Sequence, residues 1–76
     1  MVYINEGPNY NKGKKAYDIA VVDAVTEEKI AWYTGYYNAK TKKLKLYPNY
    51  LTKYGKKIKY NMEVQTISTN QIKNFD

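Results

Sequence analysis

The sequence predicts a small, mainly β domain: an antiparallel sheet or a partly open barrel of four to five short strands. Residues 17–25, 29–47 and 57–66 carry this prediction. The first segment is a nearly continuous apolar run, and along much of the other two apolar and polar residues alternate with the period of two that is typical of strands. Turn-forming residues separate the segments, and a helical turn is predicted near residues 48–54. SH3-like and OB-like barrels have this order of elements.

The length and composition indicate one folded domain over residues 1–76. Its 76 residues include one tryptophan, one phenylalanine and ten tyrosines, which supply apolar area that disordered chains lack. No apolar run approaches the roughly 20 residues of a membrane helix. The first ten residues also lack the basic start and apolar stretch of a secretory signal. We therefore expect a cytoplasmic protein without a membrane partner.

The N-terminal part of the chain combines strand and loop signals. Residues 2–4 predict a short opening strand that ends at Gly7-Pro8. Residues 5–15 are rich in glycine and asparagine, which is typical of a loop. Residues 17–25 form the most continuous apolar run in the chain. Small apolar residues on its second face predict a central strand that is covered on both sides.

Residues 26–38 allow two interpretations. Thr26 followed by two glutamates is a possible helix start. Against a helix, residues 32–37 are mostly strand formers and include Gly35. The sequence favours a hairpin turn at 25–28, with the hairpin over residues 29–47 at the centre of the sheet. On this interpretation Trp32 lies in the core, whereas Tyr33 and Tyr37 face solvent.

The second half of the chain continues the alternation. Residues 38–41 predict a short polar turn, and the strand after it places Leu44 and Leu46 inward. Pro48 and Gly55 fit the start and the cap of the short helical turn. Residues 68–76 are predicted either to dock Phe75 or to fray.

The missing residue types exclude several kinds of chemistry. The chain has no cysteine and no histidine. It therefore cannot form disulfides, the usual structural zinc sites, or the Ser-His and Cys-His pairs of nucleophilic enzymes. Ser68 is the only serine and has no imidazole to activate it. We expect a protein that is not an enzyme and that has no cofactor and no metal.

The charge and composition of the chain indicate an A/T-rich source as readily as an acidic partner. All thirteen basic residues are lysine, and the net charge is +6. Lysine is a flexible point charge, whereas arginine is the planar fork that suits bidentate recognition of guanine. The richness in Lys, Asn, Tyr and Ile is also typical of A/T-rich genomes, as in low-GC bacteria and their phages.

The predicted solvent face interleaves aromatic rings with lysines, which is what a surface that binds single-stranded nucleic acid needs. A lysine-rich face that only keeps the protein soluble is the alternative. The sequence predicts binding of single-stranded or double-stranded nucleic acid with low sequence specificity. The candidate residues are Tyr33, Tyr37, Lys43, Lys45, Lys57 and Lys59.

Two other functions fit the same charge and size. The chain is also typical of a small phage-type or mobile-element protein that binds and modulates an acidic host protein. A structural or assembly protein, whose exposed strands pair into an oligomer, is the third hypothesis. The oligomeric state does not follow from the sequence.

Overall fold

The computed structural model describes residues 2–11, 13–49 and 63–75. In this part of the chain six strands form one curled sheet, a half-barrel, and the mainly β fold is confirmed. The only helical element described is a 3₁₀ turn at Thr69–Gln71. The strands are β1 (Val2–Asn11), β2 (Lys14–Val22), β3 (Lys29–Asn38), β4 (Lys43–Asn49), β5 (Gln65–Ser68) and β6 (Ile72–Lys73).

The strand order explains the curl of the sheet. The order is β5-β4-β3-β2-β1-β6, and all pairs are antiparallel except β1 with β6. Flat, six strands would span roughly 24 Å at their usual spacing of about 4.8 Å. The two edge strands are joined only by the 3₁₀ turn, and the chain from Ser68 to Ile72 reaches at most about 14 Å. The sheet must therefore curl until its edges approach each other.

The core lies on the inner face of this curl. Leu44 and Leu46 are fully buried there, as predicted. On β2 both faces are buried, since Ile19 on the inner face and Ala20 on the outer face have no exposed area. The prediction of a covered central strand is confirmed. The buried core cluster consists of Ile19, Val21, Ala31, Tyr33, Leu44, Leu46, Ile67 and Ile72.

The faces of β3 are the reverse of the prediction. Tyr33 is buried in the core, whereas Trp32 is half-buried on the outer face. Gly35 lies between Leu44 and Leu46 on the inner face, where an added Cβ would come within 2.8 Å of Leu44 Cδ2. Only a residue without a side chain fits so close to these leucines. Gly35 therefore determines which residues of β3 lie on the inner face.

The two predicted hairpin turns are confirmed. In the first, Asp23 Oδ1 accepts hydrogen bonds from the backbone N–H groups of Val25 (2.7 Å) and Thr26 (3.0 Å). In the second, Asn38 Oδ1 accepts one from the backbone N–H of Lys40 at 2.9 Å. Asp and Asn favour such turns because their side chains bond the backbone two residues on. The strand after the first turn excludes the helical interpretation of residues 26–38.

The first strand is longer than predicted. β1 does not end at Gly7-Pro8 but passes through it by a β-bulge, because the register shifts between Asn5 and Pro8. Gly7 has φ +119°, a conformation that side chains rarely adopt, and its N–H donates to Asn5 Oδ1 at 3.0 Å. Pro8 is tolerated because bulges leave ladder donors unpaired.

Other predictions fall partly outside the described residues. Of the predicted helical turn near 48–54, residues 48 and 49 belong to β4, and 50–54 lie outside. Of the predicted strand over 57–66, residues 57–62 also lie outside, and β5 begins at Gln65. At the C-terminus Phe75 docks against the core cluster.

Candidate nucleic-acid interface

Tyr33, the first of the predicted binding residues, does not lie on the outer face. Only 6% of it is exposed, and its ring centroid is 6.3 Å from that of Tyr3. Its placement on the solvent face is wrong, because that prediction depended on Trp32 being the inward ring. In the structure Gly35 lies on the inner face, and Tyr33, two residues before it on the same strand, therefore faces the core as well.

Tyr37 is exposed, but on the other side of the sheet from the lysines. Its partner across the strands is the buried Leu44, and its ring centroid lies 5.4 Å from that of Phe75. It therefore lies at the rim of the inner face. The predicted combination of Tyr37 with Lys43 and Lys45 on one face is wrong for the same reason as for Tyr33.

Lys43 and Lys45 lie on the outer face of β4 and are exposed, as the alternation predicts. Lys57 and Lys59 are outside the described residues. Thus the structure keeps the two lysines of β4 on the predicted face but separates them from both predicted tyrosines.

A different pair of tyrosines accompanies these lysines. The rings of Tyr36 on β3 and Tyr47 on β4 meet edge to face, with centroids 5.7 Å apart and planes at 78°. Lys45 Nζ lies 5.5 Å from the Tyr47 ring centroid, which is within cation–π range. Together with Lys14 and Thr34 these residues line an open groove of about 590 Å³. We call it the outer groove.

The outer groove lies where two hairpins separate. The pairing of β2 with β3 extends no further than Tyr17 and Gly35, whereas β3 and β4 stay paired up to Asn38 and Lys43. Beyond this point β2 pairs with β1 alone in the described register. Lys14 therefore lines the groove from the β1–β2 hairpin, and the tyrosines line it from the β3–β4 hairpin.

On the inner face of the sheet, Phe75 packs between the two hairpins where they separate. The Phe75 ring lies 4.8 Å from that of Tyr17 on β2, centroid to centroid, and 5.4 Å from that of Tyr37 on β3. Lys15 Nζ lies 5.5 Å from the Tyr17 ring centroid. The C-terminal tail thus supports, from inside, the two strands that diverge around the groove.

The described charges are segregated along the strands. At the end where the β1–β2 and β3–β4 hairpins turn, the described charged residues are all lysines, whereas Asp23, Glu27 and Glu28 lie in the turn at the opposite end. Asp18, a register neighbour of Thr34, is the described carboxylate near the groove; it accepts a hydrogen bond from Asn9 Nδ2 at 3.4 Å. The lysines at the hairpin end are Lys14, Lys15, Lys40, Lys42, Lys43 and Lys45.

Glu6, on the outer face of β1, is held by two partners. Its carboxylate forms an ion pair with Lys29 and accepts a hydrogen bond from Trp32 Nε1 at 2.6 Å. The hydrogen bond from Lys29 is the main cause that lowers the pKa of Glu6, and the Trp32 hydrogen bond adds to it against the opposing effect of burial. This network holds Trp32 on the outer face, and the positive charge of Lys29 balances the negative charge of the Glu6 carboxylate.

Tyr36, Tyr47 and Lys14 were not among the predicted binding residues. The signal that identifies Tyr36 is the small size of Ala31 and Gly35, which lie on the inner face of β3 and leave Tyr36 on the outer face. Lys14 depends on β1 continuing past Gly7-Pro8, because that hairpin brings it to the groove.

Comparisons with protein-family models, curated proteins and solved structures find no match. The residues of the outer groove are therefore the evidence for what it can bind. Tyrosine rings offer flat faces for stacking, and ammonium groups attract anions. Among the described residues no group of His, Cys, Asp or Glu is arranged to hold a metal ion. The described part of the chain also contains no helix long and apolar enough to cross a membrane.

Proposed function

We propose that this chain is a small nucleic-acid-binding β-protein with low sequence specificity, and that the outer groove is its binding surface. The observation that carries the proposal is the joint placement of Tyr36, Tyr47 and Lys45 on one face, with Lys14 across the groove. This surface combines stacking rings with phosphate-binding charges, as low-specificity binding requires.

The lysines supply the sequence-independent part of the affinity. Lys14, Lys43 and Lys45 are exposed around the groove, so each can approach a phosphate without breaking an ion pair within the described residues. By contrast, Lys29 is already paired with Glu6. Neutralising phosphates releases bound counterions, and the affinity therefore falls as salt rises.

The salt dependence of binding tests the role of these lysines. Log affinity should fall by about 0.7 per unit of log salt for each phosphate neutralised on a single strand. Replacing Lys14, Lys43 and Lys45 together by glutamine should therefore make the slope shallower by about 2. The measurement is a titration of a labelled oligonucleotide at several salt concentrations, with the fold of each variant checked by circular dichroism.

Lys73→Gln is the control for the loss of one lysine and is compared with Lys45→Gln, because Lys73 is exposed on β6 at the far edge of the sheet order. It removes a like charge away from the groove and should leave the slope nearly unchanged. If the triple variant binds with the wild-type slope, or if the wild-type chain binds no oligonucleotide, the proposal is wrong. If the chain retains an acidic protein and no nucleic acid, the outer groove would instead be a surface that binds an acidic protein.

A further inference from the structure

We infer that the outer groove accepts a single strand, with an unpaired base on Tyr36 and phosphates beside Lys14 and Lys45. This inference rests on the proposed function and narrows its ligand from nucleic acid in general to the single-stranded form. It follows from the geometry of the rings, the position of the groove and the distribution of the charges.

The contact between the two rings leaves part of their surface uncovered: Tyr47 is 39% exposed and Tyr36 is half-buried. In an edge-to-face pair, one ring presents its edge to the face of the other. The contact of Tyr36 with Tyr47, at 78° between planes, therefore covers at most one face of one ring. Lys45 Nζ lies over the Tyr47 ring, so we assign the base to Tyr36. A base in a duplex already has both faces stacked, and only an unpaired base can use such a ring.

The groove is open and is lined from two hairpins. Lys14 lines it from the β1–β2 hairpin, and Lys45 from the β3–β4 hairpin. Its volume of about 590 Å³ lies within the roughly 300–1,000 Å³ of sites for small molecules. A stacked ring with a charge on either side matches a nucleotide whose backbone continues out of the groove.

A duplex would use a different part of the molecule. The β1–β2 hairpin is a two-stranded ribbon, and such ribbons enter the major groove of DNA. Its exposed ring is Tyr10, which is 70% exposed and pairs with Lys15. Binding through this ribbon would depend on Tyr10 and would leave Tyr36 without a role.

Charge alone would favour binding of the duplex. Tighter binding of the single strand would therefore have to come from stacking of its bases. A duplex carries one charge per about 1.7 Å of its axis, against about 3.4 Å for each of its strands. A protein that used only its lysines would therefore bind the duplex more tightly. We expect the chain to bind a single strand of about 12 nucleotides at least about tenfold more tightly than the duplex of the same sequence. An abasic strand of equal length should bind about tenfold more weakly than the intact strand.

Variants of one ring at a time locate the stacking. Tyr36→Leu should lose about tenfold in affinity for the single strand, whereas Tyr36→Phe, which keeps the ring, should bind like the wild type. Tyr10→Leu is the matched control and should also bind like the wild type.

The possible results separate this inference from the proposed function. If neither form of nucleic acid binds, the proposed function fails. If the duplex binds as tightly as the single strand or more tightly, or if Tyr10→Leu is the harmful variant, the function stands and the single-strand inference is overturned. An abasic strand that binds as well as the intact one also overturns it.

Discussion

At the scale of single residues, Gly35 determines which face of β3 turns to the core. An added Cβ there would lie 2.8 Å from Leu44 Cδ2, 3.0 Å from Leu46 Cδ2 and 3.3 Å from Ile19 Cγ1. These three side chains are fully buried and have little room to move. The packing of one glycine thus decides that Tyr36, and not Tyr33 or Tyr37, reaches the outer groove.

We predict that Gly35→Ala destabilises the fold by about 1–3 kcal/mol, the usual cost of overpacking a core. Chemical denaturation followed by far-UV circular dichroism measures the loss. Thr66→Ala on β5 is the control, since Thr66 is an exposed strand residue. A Gly35→Ala variant as stable as the wild type would contradict the account of the β3 faces.

Glu6 gives the fold a predicted dependence on acid. Its folded pKa is lowered from the usual 4.5, mainly by the hydrogen bond from Lys29. A lowered folded pKa contributes stability that is fully present above the unfolded pKa and is lost as pH falls through the folded value. Stability should therefore decrease below about pH 4.5, and Glu6→Gln should reduce this decrease.

The matched control for Glu6→Gln is Glu28→Gln, which removes an exposed carboxylate outside the Trp32 network. Denaturation midpoints between about pH 6 and pH 3 measure the effect. If Glu6→Gln loses stability with acid as steeply as the control does, the ion pair makes no contribution.

Residue patterns predicted the faces of β4 but not those of β3. On β4, leucines alternate with lysines, so only one assignment buries the apolar side chains. On β3, Trp32 and Tyr36 alternate with Tyr33 and Tyr37, so both faces carry rings. Choosing the largest ring as the core residue was wrong, because the Trp32 N–H needs a polar partner, and Glu6 supplies it across the sheet.

At the scale of elements, the turns followed from the sequence and the length of β1 did not. Asp23 and Asn38 bond their own following backbone, a local interaction that composition reveals. The bulge at Gly7 depends on which strand lies opposite, and that is a property of the pairing. The continuation of β1 brings Lys14 to the groove, so the error in the length of β1 concealed the lining residue that comes from the β1–β2 hairpin.

The C-terminal tail is an element whose contribution can be measured. Phe75 is half-buried between Tyr17 and Tyr37. We predict that Phe75→Ala costs about 2–3 kcal/mol, at or below the low end for a fully buried ring. Denaturant unfolding measures the loss, with Tyr10→Ala as the control for an exposed ring. Equal stability of the two variants would show that the tail does not support the diverging strands.

At the scale of the whole molecule, the strand order lies beyond sequence patterns. The parallel pairing of β1 with β6 joins residues 3 and 72, and no local signal encodes a contact between chain positions so far apart. The small β class was predictable from alternation and turns. The closure that pairs β6 with β1 was not.

The composition of the whole chain leads to a prediction about specificity. Every basic residue is lysine, and lysine lacks the planar fork that reads guanine. We predict that oligonucleotides of equal length and permuted sequence bind within about threefold of one another, because stacking tolerates any base. Competition titrations measure this, and discrimination of a hundredfold would contradict it.

The most direct test of the central claim is a map of the bound surface by backbone amide chemical shifts during titration with a single-stranded oligonucleotide. The chemical shifts of the amides in and beside the outer groove should change most, at Lys14, Tyr36 and residues 43–47. Amides of β6 and of the turn after β2, at the other side and end of the sheet, should remain nearly unchanged. Changes concentrated at β6 or at that turn, with none at Tyr36, would contradict the assignment of the outer groove.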